Sequence, residues 1–376
     1  MVIAGRVGKE HILHKDHLRS FIEDIFINLN VPNDDARIIT DVILTASLKG
    51  IDSHGIQRIY MYYDRIKKGI YNPKTEITIV KEGPTTAVID GNCGMGHVVG
   101  YKAMELAIKK AKKYGIGAVA VRNSSHFGIA GYYTEMASKE GMIGIATTNA
   151  SPLVPPTNSV EPMLGTNPLS ASAPTDEEFP FLLDCATSMI QKGTVEMFKR
   201  EDKTLPTGAT INDSGEYIND PNEVLDDLCH QKGGLLPMGS DKGLNSSHKG
   251  YGYGTLVEIL SSGLQDGVFL KRTGGILEDG KIKLKVGHFF LAINIENFIP
   301  LNSFKHNVGE MMRELRSAKK APNKDRIYTA GEIEHEKCLE RKKEGIPVNI
   351  SILRELKTIQ EELGMNEYEF LFENLF

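Results

Sequence analysis

The chain has 376 residues, and its hydrophobic content of 40% and charged content of 25% are typical of a folded globular protein. The formal net charge of −5 gives no basic surface of the kind that binds nucleic acid, so we predict no nucleic-acid partner. No apolar run approaches the ~18 residues of a membrane span, so we predict no membrane partner either.

Cysteine use points to a reducing compartment. The four cysteines lie far apart and form no CxxC pair, which argues against a zinc ribbon or a dithiol redox motif. HExxH is also absent, and we predict no metal. Free thiols, together with a charged first segment that lacks the apolar core of a signal peptide, predict a cytoplasmic protein.

The first eighty residues are predicted to be helical. The second predicted helix follows Pro32, with Asn33 as its N-cap, and the third runs from Ser53, as cap, to a glycine at Gly69. The first helix has an apolar stripe at helical spacing, formed by Leu18, Phe21, Ile22, Ile25, Phe26 and Leu29.

The middle of the chain is predicted to be α/β. The segments "TTAVID", "IGAVAVRN", "MIGIATTNA" and "FPFLLDCATS" are short, apolar and bounded by turn residues, and helices are predicted at 97–114 and 130–140. Residues 200–248 are predicted to form a long loop region with one short helix at "DPNEVLDDL". A glycine-rich helix, "GYGYGTLVEILSSGLQDG", and a strand, "VGHFFLAINI", follow.

The last seventy residues return to helical patterns. In "SILRELKTIQEELG" the predicted buried stripe is Ile352, Leu356, Ile359 and Leu363. We therefore predict a discontinuous helical domain of residues 1–80 with 305–376, built around an α/β region of residues 81–304.

One glycine motif resembles a dinucleotide-binding loop. "GNCGMGHVVG" follows a predicted strand and opens a helix, but its glycines at 94, 96 and 100 are spaced one residue too far apart for GxGxxG. The next strand ends in Arg122 rather than in an acid that could bind ribose hydroxyls. We predict a strand-to-helix turn that does not hold a pyrophosphate.

Five segments combine polar or titratable residues with glycine at the junctions of predicted elements. A lone histidine at a helix start is more often structural, and a capped helix with an exposed ion pair remains the alternative for the first segment. If residues 53–69 form one helix, His54, Arg58 and Tyr62 share a face. The segments are "DSHGIQR" (52–58), "NSSHFGIAGYY" (123–133), "GTNPLSASAP" (165–174), "LLDCATS" (182–188) and "SSHKGYGYG" (246–254).

On these segments the chain resembles the malate/L-lactate dehydrogenase family, whose members are nicotinamide-dependent oxidoreductases distinct from the Rossmann-fold malate and lactate dehydrogenases. The resemblance extends from residue 53 to residue 332 and also includes "GGLLPMG", "VGHFFLAI" and "AGE". It implies an α/β fold with a mixed, largely antiparallel sheet that is not a Rossmann fold, a helical domain built from both ends of the sequence, and a homodimer.

The resemblance also implies an activity. The expected reaction transfers a hydride between NAD, or alternatively NADP, and a small 2-hydroxy acid or its 2-oxo partner, with malate/oxaloacetate as the leading pair. The alternatives are a reductase of another keto substrate (lactate, sulfolactate, a keto-sugar acid or a cyclic imine) and a non-catalytic relic that kept the cofactor site. The acid that imine-reducing members use after the "ATS" segment has no assigned position in "MIQKGTVEMFKRED".

Residue roles follow from the resemblance. His54 is expected to donate the proton with help from Ser53, and His126 to lie beside the nicotinamide, where it is the acid/base in some members. Arg58 is expected to bind the substrate carboxylate and Thr166 to lie near the substrate. Tyr62, one turn beyond Arg58, is expected to line the pocket. The expected cofactor residues are His126, Phe127, Gly128, Ile129, Ala130, Asp184, Cys185, Ala186, Thr187, Ser188, His248, Lys249, Gly331 and Glu332.

These roles agree with elementary chemistry. An imidazole can exchange a proton near neutral pH, and a guanidinium matches a carboxylate with a bidentate fork. Glycines after His126 and Lys249 are expected to let backbone N–H groups approach phosphates. One departure is the segment "GSDKGLNSS" before "HKGYG", which is longer than the family's usual connection.

Overall fold

Helices and strands alternate in the computed structural model, which describes residues 6–7, 10–240, 246–278 and 281–373. Within these residues, no helix has both the length and the apolar content that crossing a bilayer requires. The helices are α1 (Lys15–Asn28), α2 (Asn33–Leu48), α3 (Ile59–Lys67), α4 (Gly96–Tyr114), α5 (Ala130–Lys139), α6 (Lys192–Arg200), α7 (Pro221–Cys229), α8 (Ser247–Ser262), α9 (Leu301–Ser317), α10 (Glu332–Glu344) and α11 (Ile350–Leu363).

The strands form one large sheet and three small ones. Short 3₁₀ helices occur at Asp52–His54, Ile56–Arg58, Gly263–Gln265, Leu270–Gly274, Ile295–Asn297 and Asn366–Leu371. The strands are β1 (Arg6–Val7), β2 (Glu10–Leu13), β3 (Thr78–Glu82), β4 (Thr86–Asp90), β5 (Ile116–Ser124), β6 (Met142–Thr148), β7 (Leu169–Ala173), β8 (Phe181–Cys185), β9 (Thr210–Ile211), β10 (Gly234–Leu235), β11 (Ile276–Glu278), β12 (Lys281–Lys283), β13 (Val286–Asn294) and β14 (Ile346–Asn349).

The large sheet has the order β3-β4-β5-β13-β6-β7-β8. Its β4–β5 pair is parallel, and its other neighbouring pairs are antiparallel. Ala146 packs with α4 and α5 on one face, whereas the next residue, Thr147, meets Ser261 of α8 on the other (Oγ1–Oγ distance 2.9 Å). The predicted mixed, largely antiparallel α/β fold is confirmed.

The two end portions of the sequence share one apolar core. Phe21 and Ile25 of α1 and Ile43 of α2 pack in the same cluster as Leu353 and Leu356 of α11. Strand β14 also pairs with β2, which joins the two portions through their backbones. The α9 helix instead pairs through Arg313 with Asp176, beyond β7 (Nη1–Oδ1 distance 2.8 Å). The domain boundaries at residues 80 and 304 remain a prediction.

Local patterns predict the buried faces well and the helix ends less well. The predicted stripe of α1 is buried. In α11 the fully buried apolar residues are Leu353, Leu356 and Ile359, whereas the predicted Ile352 and Leu363 are only partly buried. The predicted cap of α2 is wrong, since Pro32 occupies the cap position without a side-chain bond and Asn33 is the first helical residue. Residues 200–248 contain the expected helix α7, and the short strands β9 and β10 were not predicted.

The turn at "GMGHVVG" is closed by protein atoms. The Gly96 amide donates to Ser125 Oγ at 2.8 Å. A Cβ at Gly96 would lie 2.1 Å from the Ser125 carbonyl oxygen, so this glycine permits close packing of two backbone segments.

Candidate active site

The segment "DSHGIQR" does not form the start of one regular helix. It makes two 3₁₀ turns interrupted at Gly55 (φ −90°, ψ −137°), and α3 begins only at Ile59. A Cβ at Gly55 would lie 2.1 Å from Ser47 Oγ, which accepts the Ile56 N–H at 3.0 Å, so the break packs against α2 where no side chain fits. The predicted cap at Ser53 and the shared helical face of His54 and Arg58 are therefore wrong.

A cleft nevertheless brings most of the predicted catalytic and substrate residues together. It has a volume of about 420 Å³ and lies where the 52–58 segment meets the ends of β5 and β6 and the start of α6. Its lining includes the predicted residues His54, Arg58, His126, Phe127, Gly128 and Thr166.

The two histidines of the cleft stack on each other. Their ring centroids are 5.4 Å apart, with an interplanar angle of 21°. Ser53 Oγ is 2.9 Å from His54 Nδ1, and Tyr62 Oη is 2.7 Å from His126 Nδ1. The structure places Tyr62 behind His126 rather than in the cleft, because its ring is fully buried.

Burial controls the charge of both histidines. It lowers the pKa of His54 to about 3, and the nearby Arg58 guanidinium adds to this effect. The pKa of His126 is lowered far below its usual range, again by burial first and then by His54 and Arg58. Both imidazoles are therefore neutral at pH 7 when no anion occupies the cleft.

Arg58 is held in place by two contacts. Its Nε donates to the Ser53 carbonyl at 2.7 Å, and its Nη2 lies 2.9 Å from Glu196 Oε2 on α6. The structure thus puts a carboxylate on the predicted substrate arginine. Glu196 was missed at the sequence level, where the segment "MIQKGTVEMFKRED" offered no local pattern to single it out.

Further charges surround Arg58. Arg200 donates to Gln57 Oε1 at 2.7 Å and lies 3.9 Å from Glu355. Lys192, at the start of α6, also lines the cleft and has no ion pair within the described ranges. The cleft therefore contains more cationic than anionic side chains: Arg58, Arg65, Lys192 and Arg200 against Glu196 and Glu355.

The other predicted cofactor residues lie outside the cleft, beside strand β8 or beyond its ends. Ile129 and Ala130 precede and begin α5, and the next amide, that of Gly131, donates to Asp184 Oδ2 at 2.7 Å. Burial raises the pKa of Asp184 to about 6, and the Gly131 hydrogen bond opposes this shift. Cys185 ends β8 beside Asp184.

Beyond β8 the chain turns toward α8. Ala186 is buried, Thr187 Oγ1 donates to the Thr166 carbonyl at 3.1 Å, and Ser188 Oγ donates to the Ile190 carbonyl at 2.7 Å. His248 and Lys249 lie exposed in the first turn of α8. The long connection before them includes residues 241–245, which lie outside the described residues.

Gly331 and Glu332 lie at the opposite end of β8. Gly331 lines a second groove of about 440 Å³, separate from the cleft. The Glu332 carboxylate already accepts from the Thr329 amide at 3.0 Å and from Arg326 and Arg316. Burial opposes its ionisation, but the Thr329 and Arg326 bonds outweigh burial and lower the pKa of Glu332.

The glycines of the histidine motifs have a packing role. A Cβ at Gly128, where φ is +79°, would lie 2.6 Å from Val42 Cγ1, and one at Gly250 would lie 2.2 Å from the Met238 carbonyl oxygen. Neighbouring protein atoms therefore favour glycine at both positions, and access for phosphates stays a prediction.

Two buried residues that sequence analysis missed support the cleft walls. Glu258 accepts from Asn149 Nδ2 at 3.0 Å and from Asn167 Nδ2 at 2.7 Å, which ties α8 to the loops after β6 and before β7. His288 stacks on Phe127 with centroids 4.4 Å apart and bonds Ser124 Oγ at 2.7 Å.

Among the residues that the structure describes, no group of three or more His, Cys, Asp or Glu is placed to hold a metal ion.

Comparison with known proteins agrees with the family resemblance that the sequence motifs indicated. A family model described as malate/L-lactate dehydrogenase matches residues 13–357. The chain is 44% identical to the malate dehydrogenase of Pyrococcus abyssi, over 97% of this chain and 99% of that one. It is 40% identical to the L-sulfolactate dehydrogenase of Methanocaldococcus jannaschii, over 96% and 99% of the two chains.

A solved crystal structure has a closely similar fold. The crystal structure of malate dehydrogenase from Entamoeba histolytica superposes with a TM-score of 0.92 at 43% identity, covering 94% of this chain and 98% of that one. Fold, cleft and relatives together define an oxidoreductase of 2-hydroxy acids. The chain belongs to the malate/L-lactate dehydrogenase family.

Proposed function

We propose that this protein interconverts malate and oxaloacetate with NAD as the hydride carrier. The observation that carries the substrate assignment is the charge of the cleft. Arg58 lies beside two histidines, and Lys192 is a second cation without an ion pair in the described part of the chain. Two cations in one cleft suit a dicarboxylate better than a monocarboxylate.

The cleft suits a nicotinamide. The main chain of residues 126–128 forms one wall, and Gln191, which also lines the cleft, has a buried Oε1 with no hydrogen-bond partner in the described structure. An orphaned acceptor of this kind can receive a carboxamide N–H. When bound in its reduced form, the nicotinamide supplies a hydride to the carbonyl carbon of the 2-oxo acid.

NAD is proposed over NADP because of Lys49. This cation lies near Asp184, but its Nζ is 2.6 Å from Glu135 Oε2, so its charge is already balanced. If the ribose lies beside Asp184, as the predicted cofactor residues imply, a 2′-phosphate there would meet this balanced Lys49–Glu135 pair rather than a free cation. NADP is the alternative.

The protein's own side chains carry the remaining roles. Arg58 binds the carboxylate next to the carbonyl, in place of Glu196. Lys192 binds the distal carboxylate. The anionic substrate favours the doubly protonated form of His54, which gives a proton to the nascent alkoxide oxygen and takes it back in the reverse reaction, while Ser53 holds its Nδ1.

A spectrophotometric screen tests the proposal. NADH and NADPH oxidation are measured with oxaloacetate, pyruvate, 3-sulfopyruvate, a keto-sugar acid and a cyclic imine. We expect the largest kcat/KM with NADH and oxaloacetate. Tight NADH binding without oxidation by any of these compounds would instead identify a cofactor-binding relic.

We also propose an oligomeric state, a cellular location and domain boundaries. The exposed apolar side chains of α8, Tyr253, Leu256 and Ile259, support a homodimer, which light scattering on the purified protein tests. The cysteines Cys93, Cys185, Cys229 and Cys338 are unpaired, which supports a cytoplasmic location, tested by cell fractionation. Limited proteolysis tests the domain boundaries near residues 80 and 304.

A further inference from the structure

Two donors converge on one nitrogen of His126. The Tyr62 hydroxyl lies 2.7 Å from Nδ1, and the Gly128 amide donates to the same nitrogen at 3.4 Å. A backbone N–H can only donate, so Nδ1 must be an acceptor. Burial raises the pKa of Tyr62 well above its ordinary value, so its hydroxyl also keeps the proton that it can donate.

This arrangement fixes the protonation of His126. A neutral imidazole whose Nδ1 accepts must carry its proton on Nε2. A second proton could reach Nδ1 only by displacing the Gly128 amide and reversing the Tyr62 hydroxyl. Among the residues that the structure describes, the charged or titratable groups that lower the pKa of His126 are His54, Arg58, Arg65 and His97, and none of them is a carboxylate that would stabilise a cation; Tyr62 contacts Nδ1.

His54 is not restricted in this way. Its Nδ1 contacts Ser53 Oγ at 2.9 Å, and a hydroxyl can either donate to or accept from that nitrogen. His54 can therefore be neutral or doubly protonated without losing its partner. Because the two rings stack at 5.4 Å, a proton on one disfavours a proton on the other.

We propose that Tyr62 and the Gly128 amide hold His126 as the neutral Nε2–H tautomer, so that His54 alone exchanges the proton with substrate. Tyr62 is then a positioning residue that acts through His126, and His126 is a neutral hydrogen-bond donor to the substrate oxygen. In the reduction, the electron pair of the hydride forms the C–H bond and the carbonyl π electrons move to oxygen. That oxygen takes one of the two protons of doubly protonated His54, the form that the bound substrate anion stabilises, and His54 is left neutral. This assignment rests on the proposed 2-oxo acid reduction.

Nitrogen NMR on the ligand-free protein tests the tautomer directly. With ¹⁵N-labelled histidine, the His126 signals are those that His126→Gln removes. We expect an unprotonated Nδ1 and a protonated Nε2 from pH 8 to pH 5.5. A protonated Nδ1 anywhere in this range would overturn the proposal. Since no substrate is present, this result is independent of whether the proposed activity is found.

A matched pair of tyrosine variants tests the role of the phenol. Tyr62→Phe should give His126 a mixture of tautomers and should lower kcat by about 10-fold, for the loss of one positioning hydrogen bond. It should also add a second ionisation to the acid limb of the kcat/KM pH profile. NADH affinity should be unchanged. Tyr63→Phe is the control, since this buried tyrosine of the same helix bonds Glu362 instead. If the two variants behave alike in the NMR spectrum and the pH profile, Tyr62 does not set the tautomer and the proposal fails.

Discussion

His97 lies directly behind the cleft and is the least satisfied of the buried histidines. It is fully buried, its ring packs edge-on to Tyr62 with centroids 4.7 Å apart, and neither ring nitrogen has a hydrogen-bond partner in the described structure. Burial lowers its pKa from 6.5 to about 3. Between pH 3 and pH 6.5 the unfolded chain therefore binds a proton at His97, and the native protein does not.

This difference predicts a pH dependence of stability. The contribution of neutral His97 is fully present above pH 6.5, and it is lost as the pH falls toward 3, by roughly 1.4 kcal/mol per pH unit. His97→Phe should therefore flatten the fall in the free energy of unfolding between pH 6.5 and pH 4.5, measured by urea titration. His230→Gln, at an exposed position, is the control. Parallel wild-type and His97→Phe curves would contradict this prediction.

At the scale of single elements, α6 supplies two of the charged groups that are proposed to select the substrate. Glu196 of this helix contacts Arg58, and Lys192 at its first turn is the second cation. Gly193 allows the close approach, since a Cβ there would lie 2.4 Å from Arg58 Nη2. One helix therefore provides both the competitor for Arg58 and the proposed partner of the distal carboxylate.

A double comparison separates the two cations. Lys192→Ala should lower kcat/KM for oxaloacetate by about 10- to 100-fold, the value of one charge-assisted hydrogen bond, and leave pyruvate nearly unaffected. Arg58→Lys keeps the charge but loses the fork, so it should lower kcat/KM for both compounds. Lys199→Ala, at an exposed position of the same helix, is the control. Equal losses with both compounds in Lys192→Ala would remove Lys192 from the distal subsite.

The elements themselves were largely predictable from sequence, whereas the contacts between them were not. Apolar spacing identified α1 and α11, because periodicity records which face is buried. Short apolar segments identified β4, β5 and β13. The same periodicity cannot report the break at Gly55, which Ser47 of another helix imposes.

The candidate site was likewise only partly predictable from sequence. The glycine-flanked segments led to His54, Arg58 and His126, which the structure brings into one cleft. Glu196 and the buried position of Tyr62 escaped notice because each depends on a partner more than sixty residues away in the chain. No local spacing encodes such a pairing.

At the scale of the whole molecule, the late part of the chain anchors the early catalytic segment. Arg341 of α10 bonds both carboxylate oxygens of Asp52, at 2.6 and 2.8 Å, and its Nη1 also donates to the Ser47 carbonyl at 2.5 Å. Asp52 immediately precedes Ser53 and His54. The guanidinium therefore holds the segment that carries Ser53 and His54, on which the proposed proton transfer depends.

Removing this anchor should affect stability and activity together. Arg341→Ala is expected to cost about 1–3 kcal/mol in the free energy of unfolding, since both groups are partly shielded from solvent, and to lower kcat more than NADH affinity. Urea titration and steady-state assays measure the two effects. Lys337→Ala removes only an exposed pair on the same helix and is the control. An Arg341→Ala enzyme with wild-type kcat would show that Asp52 needs no support.

The shared core of the two end portions also has a consequence during protein synthesis. Helices α1 to α3 leave the ribosome early, but α11, which completes their apolar core, follows roughly 280 residues after α3, and a ribosome adding about 5–20 residues per second needs tens of seconds to reach it. During that interval Phe21, Ile25 and Ile43 lack their final partners. The nascent chain therefore exposes these apolar side chains until α11 has been synthesised, and the cleft receives its Glu355 wall only then.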